Sequence, residues 1–372
     1  VGEDSLAIGL LFGGPSEEHD VSLMSVRSIW DALNRDRHRV HAIGVARDGA
    51  WFLAEDAEKW MEEGIPPVER ADEDLRVRFN PGPGGGMTVG PDLRPLTLDV
   101  VFPVLHGPFG EDGRVQGLLD LLDIPYVGSG VAASGVSMDK EIMKALFAAE
   151  DLPVEDFYVC TAAEITRSPG EVAEEVEDEI GFPCFVKPAS LGSSVGVSRV
   201  DGADKLQDGL QAAARYDSKI IVERAVDCVR ELECSVLGNR SVRVAGPGEI
   251  IPAGSFYDYH SKYCDDDTRL LVPAPVPADV ALRMREMAEQ AFRSVFARGM
   301  ARVDFFYRES EDEIILNEIN TIPGFTSRSM YPVLLLEEGA TFGDLVRELI
   351  ELALEHHAEQ KLEKGNSTRT AR

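Results

Sequence analysis

Buried-strand runs alternate with amphipathic helices through the first third of the chain, and that order leaves few folds open. Leu6–Phe12 is a short apolar run, Val21–Leu33 carries apolar residues at helical spacing, and Val40–Val45 reads as a second strand. Val100–Leu105 has the pattern of a strand buried on both faces, and Gly113–Leu122 that of an amphipathic helix. Alternating β and α units with short turns predict a mostly parallel sheet covered by helices. Trp51–Arg70 is acidic and partly helical, while the Pro-Gly-Pro-Gly-Gly-Gly run within Asn80–Pro91 predicts a loop or insertion without a regular element.

The 372 residues exceed one typical domain. A second region carries helices Lys140–Glu150 and Gly170–Ile180, then strands Phe185–Lys187, Val195–Val200 and Ile220–Glu223. A third has strands Glu231–Leu237 and Arg243–Ile251, a polar, aromatic-rich loop Ser255–Leu270, and helix Ala278–Arg298. Strands Ala301–Tyr307 and Ile314–Asn320 and a last helix, Phe342–His356, follow. The final residues, ending Lys-Gly-Asn-Ser-Thr-Arg-Thr-Ala-Arg, read as a frayed tail. The fold class is α/β with added antiparallel elements.

Charge and cysteine content narrow the function. With 37 Lys and Arg against 66 Asp and Glu, the formal net charge is −29, which opposes binding to nucleic acid or an anionic membrane surface. No apolar run reaches the roughly 18 residues that a membrane helix needs, and the acidic start lacks the basic segment of a secretory signal. Five cysteines without a C-x-x-C pair predict a reducing, cytoplasmic setting rather than a disulfide framework.

Phe185-Val186-Lys187-Pro188-Ala189-Ser190-Leu191-Gly192-Ser193-Ser194-Val195-Gly196-Val197 joins a lysine to a loop of small residues. Small residues let backbone N–H groups approach phosphate oxygens, and the lysine adds positive charge. The run lacks the Walker A pattern, and a strand rather than a helix follows it. A hairpin flap over phosphates and a plain hairpin with small turn residues both fit. Gly128-Ser129-Gly130-Val131-Ala132-Ala133 fits a dinucleotide fingerprint, with Glu150 and Asp151 about 20 residues on. It falls after several strands, however, and not at the first.

In Ala301–Phe306 the alternation puts Arg302 and Asp304 on one strand face; in Leu316–Asn320 it does the same for Glu318 and Asn320. Adjacent strands of this kind would present Asp304, Glu318 and Asn320 together, a hard-oxygen set suited to Mg²⁺ and not to zinc. Arg302 beside them suits phosphate or developing negative charge. A half-exposed sheet with incidental charges also fits the spacing. The glycine-and-hydroxyl loop Thr321–Met330 can offer N–H groups to an oxyanion or serve as a turn.

Taken in order, these segments resemble the ATP-grasp fold and, within it, the D-alanine–D-alanine ligase family. The resemblance runs through Gly13–Ser22, Leu105–Gly113, Ser137–Lys140, Val186–Gly196, Ser255–Tyr259 with Lys262-Tyr263, Arg302–Asp304 and Asn317–Ser329. It implies a Rossmann-like N-terminal domain (1–133), a central subdomain (134–228), a C-terminal subdomain (229–360) with mobile loop 255–270, and a tail (361–372). The implied reaction uses ATP to make a D-alanyl phosphate, which the amine of a second D-alanine attacks, for peptidoglycan precursor synthesis. Carboxylate–amine ligases with D-lactate or D-serine as acceptor are the alternative.

The family's residues carry over position by position. Lys140, Lys187 and Lys262 would meet the ATP phosphates under the Ser193, Ser194, Val195 and Gly196 backbone. Glu223, Arg224, Ala225 and Val226 would form the adenine hinge, Glu231 would hold the ribose, and Phe306 and Asn317 would complete the nucleotide site. Asp304, Glu318 and Asn320 would hold two Mg²⁺ ions, which Mn²⁺ can replace. Glu18 would take the first substrate's ammonium, with His106 nearby. Arg302 and Gly324 would stabilise the tetrahedral oxyanion, and Ser329 would hold the second carboxylate. A Glu18–Ser193–Tyr263 link would shut the loop, and Tyr263 goes with D-alanine as acceptor where phenylalanine goes with D-lactate. Arg224 and Leu191 depart from residues common in the family. A homodimer is also implied.

Overall fold

A computed structural model of the chain describes residues 5–65, 72–82, 85–226, 229–251, 269–337 and 339–370, with side chains as far as residue 363. Strand β1 (Ala7–Gly13) is buried along its whole length. Its alternation sends Ile8, Leu10 and Phe12 to one core cluster and Leu11 to another, so both faces are covered. Helix α1 (His19–Ala32) packs on the first face through Val26 and Ile29. Strand β1 pairs in parallel with β2 (Arg39–Val45) and β7 (Val100–Val104), and β3 (Trp51–Leu53) adds an antiparallel edge. The mostly parallel sheet read from the sequence is therefore present, in the order β3-β2-β1-β7.

The Asn80–Pro91 segment departs from expectation. Strands β4 (Val77–Asn80), β5 (Gly86–Val89) and β6 (Arg94–Leu96) form a three-stranded antiparallel sheet. Met87 and Val89 alternate inward into the core, a signal that four residues beside a proline–glycine run are too few to reveal. Helices α2 (Ala57–Glu63) and α3 (Arg114–Leu121) complete this part.

Helix α4 (Val131–Met138) runs across residue 133, where the first domain boundary was expected, and α5 (Lys140–Ala149) follows at once. The Gly128–Ala133 fingerprint thus opens a helix, but Gly128 lies against the backbone of Gly299 and Ser129 Oγ donates to the Arg298 carbonyl at 3.3 Å. It is a joint between distant segments.

The central sheet is antiparallel, in the order β10-β9-β11-β8, from β8 (Phe157–Thr161), β9 (Cys184–Pro188), β10 (Ser198–Val200) and β11 (Lys219–Arg224). Helices α6 (Ala162–Arg167), α7 (Pro169–Glu179) and α8 (Ala203–Ala213) surround its core. Strand β10 is shorter than the expected Val195–Val200 because Ser193 to Gly196 turn, with φ of 49° at Ser193, 59° at Ser194 and 73° at Gly196. At Gly196 a Cβ would come within 2.8 Å of Pro188 and Tyr216, so this turn requires glycine.

The third sheet is also antiparallel, in the order β14-β13-β12-β15-β16. Its strands are β12 (Arg230–Gly238), β13 (Val242–Ile251), β14 (Arg269–Leu271), β15 (Gly299–Arg308) and β16 (Glu313–Asn320). The helix Ala278–Ser294 covers one face. The other face, with helix Met330–Glu337, shares a core cluster with the first sheet, so the two ends of the chain pack as one. The last helix spans Phe342–Thr370, well beyond the expected His356 and through most of the expected tail. Leu345, Val346, Leu349 and Ile350 anchor it, and Lys361 reaches Asp123 at 3.1 Å, a partner that no local reading of the tail supplies.

Candidate active site

A cleft of about 570 Å³ lies between the central and third sheets. Val186 pairs with Val222 across β9 and β11, which leaves Lys187 and Glu223 as diagonal neighbours on one face. Lys187 Nζ donates to Glu223 Oε2 at 2.5 Å, and Lys144 Nζ lies 3.2 Å from Oε1. Lys144 is 1% exposed and Glu223 5%. Burial by itself would raise the Glu223 carboxyl, but the Lys144 and Lys187 charges outweigh it and hold the group at about 2. Burial likewise opposes the Lys187 ammonium, yet Glu223 keeps its affinity for the proton above the usual lysine range.

Lys144 was not singled out in the sequence. The signal that would find it is its position one helical turn after Lys140 on α5. Replacing Lys144 with methionine leaves the buried Glu223 carboxylate with Lys187 as the remaining one of these two partners and is expected to destabilise the fold by about 1–3 kcal/mol in urea unfolding. A loss below about 1 kcal/mol would show the pair to be weak. The folded pKa of Glu223 lies below its ordinary value of 4.5. Its contribution is therefore complete above pH 4.5 and lost as pH falls toward 2. The wild-type melting temperature should drop in that window more steeply than that of Lys144→Met.

The N-terminus of α5 is fixed from outside. Asp139 caps it by accepting the Ile142 N–H at 3.2 Å, and Lys219 binds Asp139 at 2.5 Å and Glu141 at 2.6 Å. This aims Lys140 at the Leu191 carbonyl (2.9 Å) and the Glu318 carboxylate (3.6 Å).

A second cavity, of about 860 Å³, opens on the other side of Lys140, Gly192, Ser193 and Glu318, which line both spaces. Glu18 precedes α1 but does not cap it; its carboxylate accepts a hydrogen bond from Ser193 Oγ. Gly107 makes room for it: with φ at 72°, a Cβ there would sit 2.5 Å from Glu18 Oε2. Arg302 Nε and Nη2 donate to the Asp304 oxygens at 2.7 and 2.6 Å, and Glu233 lies 3.2 Å from Nε. Glu233 is another partner the sequence reading missed, although it stands two residues after Glu231 on the same strand face. Gly324 lines this cavity with Ser329, whose N–H donates to the Thr326 carbonyl and whose Oγ accepts from the Thr326 N–H at 3.1 Å.

The ladder pairs Asp304 with Glu318 and Arg302 with Asn320, bringing the expected oxygen donors to one sheet face. A bulge follows Asp304, so Asn317 and Glu318 both reach the 570 Å³ cleft. Among the described residues, no group of three or more His, Cys, Asp and Glu side chains is arranged to hold a metal. What the site offers is two carboxylates and an amide, a donor set that fits Mg²⁺ completed by water and phosphate oxygens.

Phe306 and Glu231 line the cleft, as do Val226 and Ser194. Arg224 also reaches it, although its guanidinium points to Asp156 and the Glu179 carbonyl. Ala225 and Val195 are not among the lining residues; their N–H groups donate to the Pro183 and Gly192 carbonyls. Leu191 lines both cavities. His106 does not line the large cavity. It is buried beside a separate space of about 210 Å³, with Nδ1 3.6 Å from Glu111. Burial pushes the Glu111 carboxyl up. Lys262 and Tyr263, with loop 255–268, lie outside the described residues, as do Cys228 and Cys264.

Two antiparallel sheets enclosing a cleft, with a small-residue hairpin on one and paired carboxylates on the other, define an ATP-grasp protein, a class that uses ATP. The sequence matches the D-ala D-ala ligase N-terminus family over residues 7–129 and the D-ala D-ala ligase C-terminus family over 146–351. It is 46% identical to a D-alanine–D-alanine ligase of Heliobacterium modesticaldum over 95% of this chain and 96% of that protein. It is also 43% identical to one of Halothermothrix orenii, over 94% and 98%. The fold superposes on the D-alanine–D-alanine ligase of Coxiella burnetii with a TM-score of 0.85, at 33% identity over 99% of this chain and all of that one. The VanG D-Ala:D-Ser ligase of Enterococcus faecalis gives 0.82 at 31% identity over 94% of this chain and 100% of that one. The chain belongs to the D-alanine–D-alanine ligase family. No helix among the described residues is long and apolar enough to cross a membrane.

Proposed function

We propose that this chain joins two D-alanine molecules into D-alanyl-D-alanine, with ATP converted to ADP and phosphate, for peptidoglycan precursor synthesis. The observation that carries the reading is the shared wall. Lys140, Ser193 and Glu318 stand where the cleft read as the nucleotide site meets a cavity with room for two small zwitterions. A terminal phosphate held there lies next to a carboxylate in the second cavity, which favours phosphoryl transfer through proximity.

In this reading Lys140 and Lys187 neutralise phosphate charge, and the turn from Ser193 to Gly196 covers it. Glu223, kept ionised by Lys144 and Lys187, accepts a hydrogen bond from the adenine amino group at the hinge that runs to Val226, and Glu231 accepts from the ribose hydroxyls. Asp304, Glu318 and Asn320 would hold two Mg²⁺ ions, which supply charge neutralisation for the phosphates. Glu18 binds the first substrate's ammonium. Arg302 and the Gly324 N–H stabilise the oxyanion that forms when the second amine attacks the acyl phosphate carbonyl. Ser329 orients the second carboxylate. Exclusion of water protects the acyl phosphate, and segment 255–268, which contains Tyr263 and ends where strand β14 begins, is the proposed lid.

Incubation with ATP, Mg²⁺ and D-alanine is expected to yield ADP in step with D-alanyl-D-alanine, detected by mass spectrometry. ATP turnover without dipeptide would reject the reading. Offering D-serine and D-lactate as acceptors checks the choice of second substrate. Tyr263→Phe is expected to raise D-lactate use relative to D-alanine, and an unchanged ratio would remove Tyr263 as its determinant. The reading includes a cytoplasmic homodimer; a single-chain mass by light scattering would remove the dimer.

A further inference from the structure

We propose that Ser25 is a positioning residue for the oxyanion loop, holding residue 325 directly and residue 322 through His106, one on each side of Gly324; this rests on the ligase reading above. Ser25 lies on α1 and is fully buried. Its Oγ accepts from the Phe325 N–H at 3.3 Å and lies 3.1 Å from His106 Nε2. The other ring nitrogen, Nδ1, is 3.0 Å from the Ile322 carbonyl. A carbonyl can only accept, so Nδ1 carries a proton. Ser25 and His106 thus form one unit of the N-terminal domain that grips residue 322 on one side of Gly324 and residue 325 on the other.

Residue 322 is held on both sides, because its N–H also donates to Asn320 Oδ1 at 3.1 Å. Ring packing does not replace these bonds. Phe325 meets Phe102, Tyr331 and Phe342 with centroids 5.9, 5.8 and 5.4 Å away. Those contacts fix where the ring sits, whereas the hydrogen bonds fix how the adjoining peptides are turned. The aim of the Gly324 N–H depends on that turn, and a preorganised donor stabilises an oxyanion only when it is already aimed. His106 lies away from the large cavity, so it acts here through the loop.

Ser25→Ala is expected to lower kcat about tenfold, the usual worth of one buried hydrogen bond, while KM for ATP stays within about twofold. Ser25→Cys keeps the volume with a weaker acceptor and should be faster than Ser25→Ala. In a double-mutant cycle with His106→Gln, the double variant should lose less than the product of the two single losses, because the two residues are coupled through the Ser25–His106 contact. An unchanged kcat in Ser25→Ala, a loss carried by KM for ATP, a cysteine variant no faster than alanine, or losses that multiply would each overturn the proposal. Wild-type protein that makes no dipeptide would instead remove the ligase reading, a separate result.

Discussion

Glu318→Ala is expected to lower D-alanine-dependent ADP release by more than about a thousandfold at saturating ATP and Mg²⁺, because one carboxylate serves both halves of the site. Glu318 faces Asp304 across the β15–β16 ladder, lies 3.6 Å from Lys140, and lines both the cleft proposed for the nucleotide and the cavity proposed for the amino acids. Its removal deprives the proposed metal site of a charged ligand and leaves Lys140 with the Leu191 carbonyl alone of its two contacts here. Glu318→Gln separates charge from shape: it keeps the volume and is expected to be nearly as slow. The side chain is about a third exposed, so the melting temperature should move little. Turnover within tenfold of wild type in either variant would refute the metal assignment.

Arg302→Ala should reduce kcat by about a hundred- to a thousandfold, the range seen when one oxyanion donor is lost. The guanidinium is held by two hydrogen bonds to Asp304 and by Glu233, so it reaches the cavity with its direction already set. Arg302→Lys should restore little, since an ammonium cannot reproduce the planar two-point contact. The loss should appear in kcat with KM for ATP nearly unchanged, because Arg302 lines the larger cavity and not the cleft proposed for the nucleotide. Equal loss of ATP affinity would assign Arg302 to phosphate binding instead.

Alternation placed these two residues on shared strand faces, and the family resemblance, not the spacing, attached a role to them. A strand's side chains change face at every residue, so Arg302 and Asp304 had to share a face, as did Glu318 and Asn320. The order of motifs from Gly13 to Ser329 carried the family resemblance. Reading by local pattern failed where the pattern was short or atypical. Strand β5 hid behind a proline–glycine run, and the last helix continued through residues that looked like a tail.

The sequence by itself determined the strand faces, the small-residue turn and the positions able to carry phosphate and carboxylate chemistry, because each depends on neighbours a few residues away. Only the tertiary structure decided which charges meet. Lys144 looks like an ordinary helix lysine until three segments enclose it with Glu223, and Ser193 reaches Glu18 across 175 residues of chain. Burial strips water from such groups, so their partners set their protonation and aim, and the partners come from chain segments that folding alone brings together.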